Sequence, residues 1–306
     1  MAEYAMSNHL DDKPAFKWWV KQTLHRKSNF MKTARKCYFK CTHKFGVRLP
    51  KTMEEALDID RITKTTFWRD AIQNKMKNNR QAFEFLEEDE KVPISCKWIK
   101  CHMVFDVKMD FTRKARNVVG GEMTDPPSRI TYSSVVSRDS IRIAFLIAAL
   151  NDIDILACDI GNAYLNATPR EKVYTTAGPE FGAELQGRNV LIVQALYGLK
   201  SSCTAWHSHL ANTLHQMGFT SSLAAPNVWF KPAIKSNGFE YYEYIIVYVD
   251  DLLVLSHKAE KIMKALGDFY RLKDGYAKPE HYLGAEVKEW HFPESSEKVR
   301  WDLSSH

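Results

Sequence analysis

The sequence predicts an α+β protein: a sheet covered on one side by helices, with its other face left open for a large ligand. Three observations carry this expectation. Runs rich in Val, Ile, Phe and Trp alternate as antiparallel strands do. Stretches with apolar residues three and four apart fall between them. Two of the strand-like runs end in aspartates, at Asp159 and at Asp250–Asp251, where their flanks call for burial.

Residues 1–60 lack steady periodicity and read as an arm. "FKWWVKQTLHRKSNFMKTARK" has the pattern of a basic amphipathic helix, and Gly46 and Pro50 end it. The folded body begins with a helix in "TTFWRDAIQNKMKNN", capped by Thr66, with Phe67, Ala71, Ile72 and Met76 at helical spacing. Two strands follow, "ISCKWIKCHMVFDVKMD" and "ARNVVGG", joined by the charged turn "DFTRK". A helix from Arg138 to Leu150, capped by Ser137, presents Ile141, Phe145 and Ala148 on one face. "DILACDIGNAYLNA" is a buried strand running into a loop, and "VYTTAG" and "NVLIVQALYG" are two more strands. "SCTAWHSHLANTLHQMGF" is a helix with Trp206, Leu210, Leu214 and Met217 on one stripe, closed by Gly218. "YYEYIIVYVDDLLVLS" reads as a hairpin, "KAEKIMKALGDFY" as a helix and "HYLGAEVKEW" as a last strand.

At 306 residues, 45% hydrophobic and 12% aromatic, the chain is globular in composition. Lys and Arg outnumber Asp and Glu 43 to 37, a net charge of +6 that suits a polyanionic partner. Twelve basic residues and no acid lie between Lys13 and Lys51, so the charge is concentrated there and the rest of the chain is slightly acidic. The first residues carry acidic and polar groups where an export signal needs an apolar run. The longest apolar block, Ile141 to Leu150, is interrupted by Arg142 and is about half the ~20 residues of a membrane helix. A soluble intracellular protein in a reducing compartment is expected, its six cysteines being too few for a disulfide framework. Cys37, Cys41 and His43, or Cys96, Cys101 and His102, lack the C-x2-C knuckle of a zinc site.

The doubled aspartate in "YVDDLL" leaves two readings open by itself. Asp is a common turn residue, yet no Gly or Asn is present to supply the positive φ that a two-residue hairpin turn favours. Asp159 breaks the tie, because carboxylates at adjacent strand ends converge on one patch. Like charges that close force protonation unless a cation neutralises them. Hard divalent cations take carboxylate oxygens, and two of them ~3.5 to 4 Å apart form the clamp of in-line nucleotidyl transfer. Polymerase chemistry is the expectation.

Several blocks carry a family resemblance. "YVDD" at Tyr248–Asp251 resembles the signature of reverse transcriptases. "KARNVVGG" is similar to their fingers motif, "DIGNAYLNA" to the motif with the first catalytic Asp, "ALYGLKSS" to the motif beneath the nucleotide, and "YLGAEV" to the primer grip. The wording of these blocks, with "FWRDAIQNKM" upstream, resembles the copia-type long-terminal-repeat retrotransposons. The five blocks stand in family order over about residues 65–290.

The resemblance implies a right-hand polymerase fold with fingers, and a palm whose antiparallel sheet is covered by helices. It divides the chain into a basic arm over 1–60, similar to the junction after integrase, mainly fingers over 61–158, mainly palm over 159–290, and the start of a largely absent thumb over 291–306. It implies an RNA-directed DNA polymerase, a nucleotidyltransferase using two Mg2+ ions, with Mn2+ as substitute. Asp159 and Asp250 would hold the metals, with Asp251 and the Ile160 carbonyl beside them. Tyr164 would exclude a ribose 2′-hydroxyl. Lys114 and Arg116 would clamp the triphosphate, Tyr197 and Gly198 would face the nucleotide, and Lys200 would assist or be a solvated charge. Tyr282, Leu283 and Gly284 would grip the primer. Implied partners are an RNA or DNA template with primer, deoxynucleoside triphosphates, and the integrase and RNase H of a parent polyprotein, in a cytoplasmic virus-like particle with access to the nucleus and no membrane. The family pattern departs at Asn117 (Leu elsewhere), Gly120 (Arg elsewhere) and Cys203 (Pro elsewhere). A silent fragment that only binds nucleic acid, through its basic arm and by counterion release, is the alternative.

Overall fold

The computed structural model describes residues 42–121, 124, 135–283, 285–291 and 299–304. The basic arm up to residue 41, Cys37, Cys41 and Gly284 lie outside them. The chain forms two compact units, Met1–Ala71 with Val104–Ala115, and Ile72–Met103 with Arg116–His306.

In the first unit a short ribbon, β1 (His43–Lys44) with β2 (Val47–Arg48), turns at Phe45 and Gly46. Helix α1 (Met53–Thr63) follows inside the expected arm. Thr52 caps it, accepting from the Glu55 N–H at 3.2 Å, and Glu54 and Glu55 sit in its first turn where the helix dipole favours acids. Its buried residues are Ala56 and Asp60, so there is no apolar stripe to read. Asp60, 1% exposed, accepts from the N–H groups of Trp68 and Arg69 and from the Thr65 hydroxyl. It therefore caps α2 (Phe67–Asn79) in place of Thr66, whose hydroxyl bonds Asp70 instead. The apolar stripe of α2 is also rotated from expectation: Trp68 and Ile72 are buried and Phe67 is exposed.

The second unit carries β3 (Phe83–Phe85) and β4 (Lys97–Trp98). The hairpin of β5 (Cys101–Val107) and β6 (Arg113–Val119) has its tip in the first unit and its base in the second. Helix α3 (Arg138–Asn151) forms as expected, with Ser137 accepting from the Ser140 N–H. Then come β7 (Asp154–Ile160), β8 (Val173–Thr176), β9 (Asn189–Ile192), α4 (Ser202–Gln216), β10 (Thr220–Ser221), β11 (Val228–Ile234), β12 (Glu240–Tyr248), β13 (Asp251–Ser256), α5 (Ala259–Phe269), β14 (Leu272–Ala277), β15 (His281–Tyr282), β16 (Ala285–His291) and β17 (Val299–Ser304).

The main sheet has six antiparallel strands in the order β10-β11-β12-β13-β7-β14. Both of its faces are covered, which corrects the expected open face. On one, α4 and α5 bring Trp206, Leu210, Leu214, Met263 and Leu266 onto Ile245, Val247, Leu252 and Val254. On the other, α3 brings Ile141, Phe145 and Ala148, and β15 and β16 bring Tyr282 and Val287, onto Ile155, Ile246, Leu253 and Leu255. The cause lies in the strands, for Leu252, Leu253, Val254 and Leu255 are all fully buried, the pattern of a strand packed on two sides. "HYLGAEVKEW" is two paired strands, reversed at Leu283, which takes a φ of +48°. β14 was not expected; "LKDGYA" has no apolar alternation and bulges after Lys273.

Asn117 on β6 is fully buried, donating to the Met76 sulfur at 3.5 Å while its amide oxygen has no hydrogen-bond partner. An orphan of this kind costs about 1–3 kcal/mol. Asn117→Leu, the residue of the resembled enzymes, is expected to raise stability by about 1 kcal/mol in urea denaturation. No gain, or a loss, contradicts this account of the site.

Candidate active site

The β12–β13 hairpin pairs Tyr248 with Asp251, so Val249 and Asp250 form the two-residue turn. Val249 has a φ of +58°, a region a β-branched side chain disfavours by about 1–3 kcal/mol. Two hydrogen bonds hold it there. The indole Nε1–H of Trp206 donates to the Val249 carbonyl at 2.7 Å, and the Ile160 N–H donates to the Asp250 carbonyl at 2.8 Å. Trp206, expected only as a core residue, thus clamps the turn from α4.

Along the next rung, Asp251 faces Asp159 across β13 and β7, and Asp159 faces Lys273 across β7 and β14. Residues opposite one another in a sheet have Cβ atoms about 4.5–5.5 Å apart. The Lys273 Nζ lies 3.0 Å from Asp159 Oδ2. Burial, with the charges of Asp250 and Asp159, pushes the Asp251 carboxyl up from its ordinary 3.8 to about 6, with Lys273 opposing. The hydrogen bond to Asp159 in turn raises Lys273.

Tyr164 lies on a 3-10 turn, Ala163–Asn166, that follows β7. Its ring meets that of Tyr197 edge-on at 4.8 Å, and its hydroxyl is 3.2 Å from the Cys203 sulfur. Burial raises both tyrosine hydroxyls, and the charge of Asp250 adds to each. The charge of Arg116 acts on Tyr197 in the opposite direction. Lys75, which no sequence signal marked, stands 5.7 Å over the Tyr197 ring.

Other expected residues have different surroundings. Lys114 lies on β6 and counts with the first unit. The Gly198 backbone, with a φ of +101°, lies against Val119, where any Cβ would strike the Val119 carbonyl, and Gly121 packs on Gly198 in the same way. The close approach that requires glycine is therefore to β6. Lys200 donates to the Thr124 carbonyl at 2.7 Å. Ile160 is fully buried and meets the hairpin through its N–H. Tyr282, 6% exposed, is packed in the core beneath the sheet, with no hydrogen-bond partner for its hydroxyl. Leu283 is half-buried. The start of α4, where Cys203 replaces a proline, is fixed from outside: Glu171 accepts from the N–H and hydroxyl of Ser201, and the Ser202 hydroxyl bonds the Leu196 carbonyl.

The donor set, three carboxylates on one rung and its turn, is chemically that of a hard divalent cation. Among the described residues no three His, Cys, Asp or Glu side chains are gathered closely enough to enclose a metal. Asp159 is turned to Lys273 instead.

Residues 82–291, more than half of the chain, match the family model described as reverse transcriptase (RNA-dependent DNA polymerase). The retrovirus-related Pol polyprotein from transposon RE1 of Arabidopsis thaliana is 29% identical over 201 residues, 64% of this chain and 13% of the relative. That from transposon TNT 1-94 of Nicotiana tabacum is 28% identical over 194 residues, 60% and 14%. The chain thus spans about one seventh of these relatives. The putative transposon Ty5-1 protein of Saccharomyces cerevisiae is 32% identical over 133 residues, 42% of this chain and 41% of the relative. A foamy viral protease-reverse transcriptase solved in complex with double-stranded DNA is 13% identical with a TM-score of 0.39, covering 72% of this chain and 33% of that one.

The Asp251 carboxyl binds a proton more tightly folded than unfolded. Its contribution to stability is complete below pH 3.8 and is lost as pH rises through about 6. Asp251→Asn is expected to melt about 2–4 °C above wild type at pH 7.5, the difference closing by pH 4. A difference that does not vary with pH would count against the shared charge.

Proposed function

The chain belongs to the reverse transcriptase (RNA-dependent DNA polymerase) family, and on that premise we propose that it is the RNA-directed DNA polymerase core of a copia-type retrotransposon polyprotein. It adds deoxynucleotides to a primer on an RNA or DNA template. The observation that carries this reading is the rung on which Asp159 faces Asp251, with Asp250 in the adjoining turn.

Asp159 and Asp250 would hold two Mg2+ ions, or Mn2+ in their place, with Asp251 and the Ile160 carbonyl in support. When bound, the ions activate the primer hydroxyl and neutralise charge on the transferred phosphate and leaving pyrophosphate. Tyr164, braced on Tyr197, walls the space beside the acids and excludes the 2′-hydroxyl of a ribonucleotide. Arg116 is the triphosphate clamp, since its charge reaches Tyr197 while Lys200 is tied to a carbonyl. The β15–β16 turn steadies the primer end through the backbone. Integrase and RNase H segments are its polyprotein neighbours, and a cytoplasmic particle is its setting. No helix among the described residues is long and apolar enough to cross a membrane.

A second reading, a silent fragment that binds nucleic acid without catalysis, is favoured by the pairing of Asp159 with Lys273. Primer extension with purified chain, primed template, deoxynucleotides and Mg2+ separates the two. Incorporation is expected, falling roughly 1000-fold in Asp159→Ala and Asp250→Ala, a loss of about 4 kcal/mol of transition-state stabilisation. No incorporation by wild type, or equal incorporation by Asp250→Ala, supports the silent reading. Tyr164→Ala is expected to relax discrimination against ribonucleotides by about 10- to 100-fold.

A further inference from the structure

Asp159 stands between an acid and a base, Asp251 on one side and Lys273 on the other, and the ladder fixes both neighbours. The ammonium of Lys273 already occupies one oxygen of this carboxylate, at 3.0 Å. We propose that Lys273 is a positioning residue that competes with a divalent cation for Asp159, holding the carboxylate until the cation displaces it. The inference rests on the metal-binding reading given above.

The local structure suits such an exchange. The Lys273 side chain is 53% exposed, so its four-carbon stem can carry the ammonium into solvent without opening the core. Its backbone, in contrast, is fixed. Lys273 pairs with Asp159 just before the bulge of β14, where Asp274 and Gly275 both take positive φ. The Gly161 N–H donates to the Arg271 carbonyl at 2.9 Å, tying the start of β14 to the chain leaving β7. Gly161 also leaves the room there: a Cβ would meet the Arg271 carbonyl at 3.2 Å and the Lys273 Cβ at 3.9 Å. The base is thus anchored at its root, with an exposed tip that rests on Asp159. A cation at Asp159 and an ammonium on the same oxygen exclude one another by charge.

Pairs this exposed contribute little, so the competition is modest, roughly 2- to 5-fold in affinity. Mn2+ binding to the full chain, followed by electron paramagnetic resonance, tests it. Lys273→Met is expected to bind Mn2+ roughly 2- to 5-fold more tightly than wild type. It should also melt lower in chelator, with the deficit removed by saturating Mn2+. Lys273→Arg should keep wild-type affinity, and in an Asp159→Asn background Lys273→Met should change neither quantity. Unchanged or weaker Mn2+ binding by Lys273→Met, or the same change without Asp159, overturns the competition and leaves the metal-binding reading standing. Failure of wild type and Lys273→Met alike to bind Mn2+ overturns both.

Discussion

The register between β7 and β13 is the constraint on which the rest depends. It puts Asp159 opposite Asp251, and every other feature of the site either follows from that pairing or holds it in place. In a two-residue hairpin a slip of one position would turn Asp251 to the opposite face and exchange Leu253 for Leu252. Because both faces are packed, with different partners on each, such a slip would misplace two cores at once. The large apolar residues around the acids are therefore what makes their juxtaposition exact enough for chemistry. The left-handed conformation at Val249 is a local consequence. A chain forced to reverse between Tyr248 and Asp251 without glycine stores strain there, and the Trp206 and Ile160 hydrogen bonds offset it.

Much of this was legible in the sequence wherever burial is one-sided or continuous. Helices α3 and α4 show their buried faces as spaced apolar residues, and β7, β12 and β13 as unbroken apolar runs. What escaped has physical reasons. Helix α1 buries an alanine and an aspartate, so its signal lies in capping, not periodicity. The same aspartate caps α2 from outside that helix, which no local window shows. β14 is an edge strand of lysine, aspartate and glycine. An edge of that composition is held by its neighbour more than by its own preferences, and it brings a base that touches Asp159. The second covered face was missed although the four successive apolar residues of β13, Leu252, Leu253, Val254 and Leu255, form the run that a two-sided strand needs and an open-faced one does not.

The departures from the family pattern also take on physical meaning. Cys203 removes a proline from the start of α4, yet Glu171, Ser201 and Ser202 set that start independently, and the thiol now meets the Tyr164 hydroxyl. Asn117 carries an orphan amide oxygen into the core, a burden on stability. Gly198 and Gly121 interlock the backbones of two segments, so the close approach that requires glycine at Gly198 is explained by the scaffold. The site's chemistry rests on a few groups, while its precision is spread through the packing around them.

The central claim is that Asp159, Asp250 and Asp251 share one electrostatic site. Carbon-13 shifts of the aspartate carboxyls, followed through pH, test it most directly. The account predicts an Asp251 midpoint near 6 in wild type, moving part of the way towards the ordinary carboxylate value in Asp159→Asn and in Asp250→Asn, with the remainder kept by burial. An Asp251 midpoint that neither substitution moves would contradict it.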